Sequence, residues 1–164
     1  MRMESHRSRS HALRLPSSIL AGGLIAGTLD ILAAFAYSAT RGGTPPRVLK
    51  GIAAGLLGRA AREGGAGTAL LGLALHFLIA TTACALYLLA SRPLPALARR
   101  PFVFGPLYGV VVWAFMNLVV VPLSAIGPRP LAPVPTAIMV GIHIACVGLP
   151  IALWARRTAG QPLT

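Results

Sequence analysis

Residues 66–90 read AGTALLGLALHFLIATTACALYLLA and contain no Asp, Glu, Lys or Arg. A helix rises about 1.5 Å per residue, so a helix of this length can cross the roughly 30 Å hydrocarbon core of a bilayer. The run is continuously apolar rather than alternating, which favours a transmembrane helix over a strand of a membrane barrel. The stretch therefore predicts one membrane-spanning helix.

Three further apolar runs of similar length flank this one, at about residues 19–39, 102–126 and 136–155. Of the 164 residues, 55% are hydrophobic and 11% are charged, whereas a soluble domain has about 25% charged residues. The chain has too little polar surface to coat a water-soluble globule. The sequence predicts an all-α fold, a polytopic membrane four-helix bundle that occupies residues 16–164.

The segment between the first two spans has the pattern of an amphipathic helix. Thr44 and Pro45 are typical of a helix start. Apolar residues then recur at helical spacing among the cationic residues Arg47, Lys50, Arg59 and Arg62. The pattern predicts a short helix at about residues 45–62 that lies in the headgroup region. The alternative is a helix that dips part-way into the membrane.

The basic residues lie mainly outside the apolar runs. The net charge of +12 comes from 15 Lys and Arg against 3 Asp and Glu. Cations at the ends of apolar runs can bind anionic lipid headgroups, whereas nucleic-acid binding would need a basic face on a soluble domain. We expect the lipid bilayer and its anionic headgroups as partners, and no nucleic acid.

Orientation follows from the same residues. Residues 1–15 are polar and Arg-rich, and we expect a disordered cytoplasmic tail there. With both termini in the cytoplasm, nine cations lie inside, namely four in this tail, three between the second and third spans, and two after the fourth; six lie outside. Positive charge favours the cytoplasmic side, so we expect both termini to be cytoplasmic.

Each predicted span carries one side chain that is costly in lipid: Asp30, His76, Asn117 and His143. Counted at the helical rise, all four lie roughly 16–23 Å from the inner edge of the membrane. We therefore expect one buried polar cluster, in which His76 is the partner of Asp30.

Small residues accompany these polar groups. Gly23 and Gly27 share a helix face with Asp30, and Gly72 shares one with His76. Small residues let helix backbones approach closely in lipid. Gly105 and Gly109 form a second such pattern, which faces either a neighbouring helix or a second copy of the chain. A homo-oligomer is therefore one expectation.

The cluster leaves several roles open. One is proton- or solute-linked transport or pH sensing, because His changes charge near neutral pH and ionisable groups within a membrane mark functional sites. Another is a structural or accessory subunit whose polar groups only bond helices together. A b-type haem between His76 and His143, or a metal ion held by both with Asp30, are further alternatives. The expectation is no cofactor.

Motifs of common enzyme classes are absent from the sequence. It contains no HExxH, GxSxG, P-loop or GxGxxG pattern. Cys84 and Cys146 lie inside apolar runs and lack the spacing of a metal site. We expect a non-enzymatic membrane protein.

The chain from residue 76 to residue 157 carries a set of short motifs. They are His76-Phe77-Leu78-Ile79 leading to Tyr87, Tyr108-Gly109, Asn117 through Pro122-Leu123, and Gly141-Ile142-His143 ending in Arg156-Arg157. In these motifs the chain resembles the YagU-like family of bacterial inner-membrane proteins, which has no assigned biochemical activity. The resemblance implies a bacterial inner membrane and supplies no catalytic residues.

Overall fold

The structure, a computed structural model, describes the backbone of residues 3–159 and the side chains of residues 15–159. Its helices are α1 (Met3–Ala39), α2 (Pro45–Leu57), α3 (Ala66–Ala90), α4 (Ala96–Arg99), α5 (Pro101–Phe115), α6 (Val121–Leu123), α7 (Pro133–Ile142) and α8 (Leu149–Ala159). A 3₁₀-helical turn covers Arg59–Glu63, and π-helical turns cover Met116–Val120 and His143–Gly148. These residues include no strand.

Within the described range, four helices are long and apolar enough to cross a membrane. In chain order these spans are Leu15–Ala39, Ala66–Ala90, Pro101–Leu123 and Pro133–Ala159. The third and fourth spans each continue through one of the π-helical turns. The prediction of an all-α four-helix bundle is confirmed, and the protein is a multi-pass membrane protein.

The span boundaries differ from the predicted ones where prolines lie near helix ends. The third span begins at Pro101 and the fourth at Pro133, because proline suits the first turn of a helix, where no N–H partner is needed. The third span ends at Leu123 rather than at residue 126. The backbone of Ser124 is extended, and its hydroxyl donates a hydrogen bond to the Val121 carbonyl at 2.7 Å.

The N-terminal segment also differs from its prediction. Helix α1 begins at Met3, so it continues through most of the segment expected to be a disordered tail. A span that is already helical supplies the nucleus, and extending it costs less than starting a new helix. Met1, Arg2 and residues 160–164 lie outside the described residues, as do the side chains of residues 1–14.

The predicted amphipathic helix at residues 45–62 is divided in two. Helix α2 ends at Leu57, and the 3₁₀-helical turn follows Gly58. Gly58 has φ +72°, a left-handed conformation that glycine adopts at little cost. The break turns the chain back toward the start of the second span.

The four spans form a closed ring. The first span packs between the second and the fourth, and the third span packs along the fourth. Tyr108 of the third span closes the ring, because its hydroxyl donates a hydrogen bond to the Ala83 carbonyl of the second span at 2.7 Å. Helix α2 packs outside this ring, against the second span.

The five glycines expected at helix contacts are all buried. Gly23 and Gly27 lie against the second span, and Gly72 lies against the backbone of α2 at Leu49. Gly105 and Gly109 lie against the fourth span of the same chain. Their face of the third span is therefore occupied within the chain and is not free for a second copy.

Large apolar side chains cover the outside of the ring. Exposed ones occur on all four spans, among them Leu20, Leu24, Leu78, Leu86, Phe102, Leu118 and Ile138. In water such a surface would be unfavourable, whereas in lipid it meets acyl chains. The outward apolar surface agrees with a membrane environment.

Candidate functional site

A carboxylate and an imidazole meet where the first span contacts the π-helical turn of the fourth. The distance from Asp30 Oδ1 to His143 Nδ1 is 3.9 Å, and the His143 and Asp30 side chains are 13% and 14% exposed. Oδ1 of Asp30 is buried and accepts no hydrogen bond from the described residues. An unsatisfied carboxylate oxygen in a membrane protein is energetically costly, so this atom is the most unusual polar group in the described structure.

The hydrogen bond that His143 makes fixes one of its protons. Nδ1 lies 2.9 Å from the carbonyl oxygen of Met139. A carbonyl oxygen can only accept, so Nδ1 must carry the hydrogen. The same N–H therefore faces two acceptors, a bonded carbonyl and a carboxylate that lies beyond hydrogen-bond distance. A small rotation of the imidazole would exchange the first acceptor for the second.

The backbone at His143 departs from an α-helix. In the π-helical turn that begins there, the N–H of Leu149 bonds to the carbonyl of Ile144, five residues earlier. Pro150 follows directly; it lacks an N–H and its ring would crowd the carbonyl of Cys146, four residues earlier. The wider π-helical turn relieves this crowding, and such turns often occur at functional sites. Asn117 lies in the equivalent turn before Pro122.

Gly109 sets the position of His143 from the third span. A Cβ atom on Gly109 would lie 2.6 Å from the His143 carbonyl oxygen and 2.6 Å from the Cα of Ile144. Only glycine permits this approach, because real Cβ atoms do not come so close to backbone atoms. The residue predicted as a helix-packing position is thus also a support for the site.

His76 does not pair with Asp30, contrary to the prediction. Its Nε2 lies 2.8 Å from the carbonyl oxygen of Gly27 on the first span, so Nε2 carries a hydrogen and donates it. Gly27 also lets the first and second spans approach closely at this point, because a Cβ there would lie 2.9 Å from Phe77 Cδ1. His76 therefore joins two spans by a hydrogen bond to the backbone.

We expect His76→Phe to lower the free energy of unfolding by about 0.6–2 kcal/mol, the range for a hydrogen bond between membrane helices. Phenylalanine keeps a planar aromatic ring and removes the nitrogen that donates to Gly27. Thr82→Val is the matched control, since Thr82 bonds the Leu78 carbonyl of its own helix. Unfolding in mixed micelles measures both, and equal effects would show that the bond between spans contributes nothing.

Asn117 also stays apart from Asp30. Its Nδ2 donates a hydrogen bond to the Trp113 carbonyl of the same helix at 2.9 Å. The expected four-residue cluster therefore separates into a pair, Asp30 with His143, and two side chains bonded to backbone carbonyls.

The structure does not bring His76, His143 and Asp30 together as the ligands of one metal ion. Among residues whose side chains are described, no group of three or more His, Cys, Asp or Glu is close enough together to hold a metal ion. His76 is directed to Gly27 and His143 to Met139. The two imidazoles are therefore directed to different carbonyl groups and not to a shared metal ion with Asp30.

Comparison of the chain with protein-family models, with curated proteins and with solved structures gives no match. The resemblance to the YagU-like family stays an expectation.

Sequence reasoning missed the partner of Asp30 and the backbone that presents it. His143 bonds to the Met139 carbonyl, and Pro150 accounts for the π-helical turn. The π-helical turn could have been predicted, because a proline within an apolar run, here seven residues after His143, indicates a local break in the helical hydrogen bonds. No sequence signal distinguishes His143 from His76 as the partner, because both lie at similar depth.

Proposed function

We propose that this protein is a proton-linked membrane transporter in which Asp30 and His143 bind and release the transported proton. The supporting observation is the buried Oδ1 of Asp30, which accepts no hydrogen bond from the described residues and lies 3.9 Å from His143 Nδ1. A side chain that only joined helices would bond across the contact, as His76 does when its Nε2 donates to the Gly27 carbonyl. An acceptor held open beside a titratable imidazole is instead suited to receiving a proton.

The proton movement needs these two side chains and water. With Asp30 ionised, Nε2 of His143 takes a proton from water, and the resulting imidazolium rotates from the Met139 carbonyl and gives its Nδ1–H to Oδ1. This leaves a neutral imidazole protonated at Nε2 and a neutral carboxyl group. Asp30 then releases its proton to water, and the imidazole gains a proton at Nδ1 and loses the one at Nε2, which restores the hydrogen bond to Met139. Intramembrane carboxylates and histidines in series are typical of proton pathways.

The full-length protein reconstituted in liposomes with an internal pH-sensitive dye tests the proposal. We expect a proton flux under an imposed membrane potential that falls at least tenfold in Asp30→Asn and in His143→Gln, because each loses a proton-binding group. His76→Phe is the matched control, an intramembrane histidine that does not contact Asp30, and we expect it to retain most of the flux. Equal loss in all three variants, or no flux above that of protein-free vesicles, contradicts the proposal.

The second candidate function is a structural or accessory subunit. The bond from His76 to Gly27 favours it, since this bond joins two spans and serves no other evident purpose. Under this alternative Asp30 contributes to folding alone, so its replacement lowers the free energy of unfolding.

The proposed location is the inner membrane of a bacterium, with both termini in the cytoplasm. Of the 15 Lys and Arg in the sequence, nine precede the first span, lie between the second and third spans or follow the fourth, and six lie in the other two connections. This excess supports a cytoplasmic position for the side with nine. The resemblance to the YagU-like family supports the choice of membrane. A transport role also favours a homo-oligomer, in which a path for the proton can form between chains.

A further inference from the structure

Helix α2 and the turn after it enclose a groove on the outside of the ring. Its volume is about 520 Å³, and it is lined by Thr44, Pro46, Arg47, Lys50, Gly51 and Arg62. Three of these six residues carry positive charge and none carries negative charge. This volume lies within the roughly 300–1,000 Å³ that is typical of sites for small molecules. The groove is therefore larger than a single inorganic ion requires.

The three cations of the groove have no partner in the described part of the chain. No hydrogen bond or ion pair involves Arg47, Lys50 or Arg62 there. Arg41 differs, although it lies only six residues before Arg47: it donates a hydrogen bond to the Tyr37 hydroxyl at 3.0 Å and lies over the same ring. The groove therefore concentrates positive charge that this chain does not neutralise.

Other features show what kind of ligand fits. The first two residues of α2 are Pro45 and Pro46, which lack N–H groups, so attraction for an anion comes from the side chains. Thr44 occupies the N-cap position, yet its hydroxyl makes no capping hydrogen bond and is free to donate to a ligand oxygen. Two guanidinium groups, an ammonium and a hydroxyl together match phosphate oxygens.

The groove is anchored to the ends of two spans. Leu49 of α2 lies against Gly72, six residues into the second span, and the Ala125 N–H, just past the end of the third span, donates to the Gly55 carbonyl at 2.9 Å. These contacts hold the cations near the level at which the apolar spans end. In a membrane, this is the level of the headgroups.

We propose that the groove formed by Thr44, Arg47, Lys50 and Arg62 binds the phosphate-bearing headgroup of an anionic phospholipid. The cations contact the phosphate oxygens, Thr44 donates to one of them, and the acyl chains lie along the apolar outside of the second span. This is a site on one face of the protein, distinct from the general attraction of basic residues to a charged surface.

Native mass spectrometry of the full-length protein in detergent tests the site, with cardiolipin, phosphatidylglycerol and phosphatidylcholine as probes. We expect wild-type protein to retain the two anionic lipids in preference to phosphatidylcholine. Each of Arg47→Gln, Lys50→Gln and Arg62→Gln should weaken anionic lipid binding about fivefold, and the triple variant roughly a hundredfold. Arg59→Gln is the matched control, since it removes one charge from the same segment outside the groove.

Three results overturn the proposal. One is an equal loss in Arg59→Gln, which would show that only overall charge matters. Another is displacement of the bound lipid by millimolar inorganic phosphate or glycerol phosphate, which would assign the groove to a soluble phosphate compound. The third is equal retention of phosphatidylcholine. The single variants change exposed or half-buried polar residues, so they keep the test open if the triple variant does not fold.

Discussion

Replacing Asp30 with asparagine is expected to raise the free energy of unfolding by about 1–3 kcal/mol while lowering proton flux at least tenfold. The buried Oδ1 accepts no hydrogen bond from the described residues, and an unsatisfied buried acceptor costs about 1–3 kcal/mol, more when it is charged. Asparagine keeps the shape of the side chain and removes the charge from the membrane interior. Reversible unfolding of the purified protein in mixed micelles measures the change.

The sign of this change separates the two candidate functions. A carboxylate that joins helices contributes to stability, so under the structural alternative Asp30→Asn lowers the free energy of unfolding. A carboxylate kept for proton binding is retained at a cost, and its removal stabilises the fold, as at many functional sites. Thr28→Val is the control, because Thr28 is an exposed polar residue on the same span; its effect should stay within about 0.5 kcal/mol.

The spans were predictable because lipid imposes a simple rule on sequence. Backbone polar groups must be satisfied inside each segment, so a long apolar run has only one available structure. The second span, Ala66–Ala90, has the predicted limits. Boundaries moved where proline or glycine acted locally, as at Pro101, Pro133 and Gly58. The burial of Gly23, Gly27 and Gly72 was also expected from their place on the polar faces.

The pairing within the site was not predictable from residue depth. His76 and His143 lie at similar depth, so the choice between them depends on helix rotation and on which spans are neighbours. The first span contacts both the second and the fourth, and a rotation of α1 decides which imidazole Asp30 meets. The groove beside α2 was not predictable either, because it depends on how the chain turns at Gly58 after α2 ends.

The third and fourth spans approach closely at Gly148, and Gly148→Ala is expected to lower the free energy of unfolding by about 3 kcal/mol. A Cβ atom there would overlap the Gly105 carbonyl oxygen and the Gly109 backbone nitrogen. Backbone atoms cannot move aside as side chains do, so the cost lies at the upper end of the usual 1–3 kcal/mol for overpacking. Unfolding in mixed micelles measures this loss.

The same substitution should also disturb the site, because separating the third and fourth spans removes the support that Gly109 gives to His143. Proton flux in liposomes should therefore fall even in the fraction that remains folded. Gly141→Ala is the matched control: Gly141 lies on the same span, and no atom lies within 4 Å of a Cβ placed there. That variant should be neutral or more stable, since alanine favours helix over glycine by up to about 1 kcal/mol. Equal destabilisation by the two alanines would mean that close approach of the third and fourth spans does not hold the ring together.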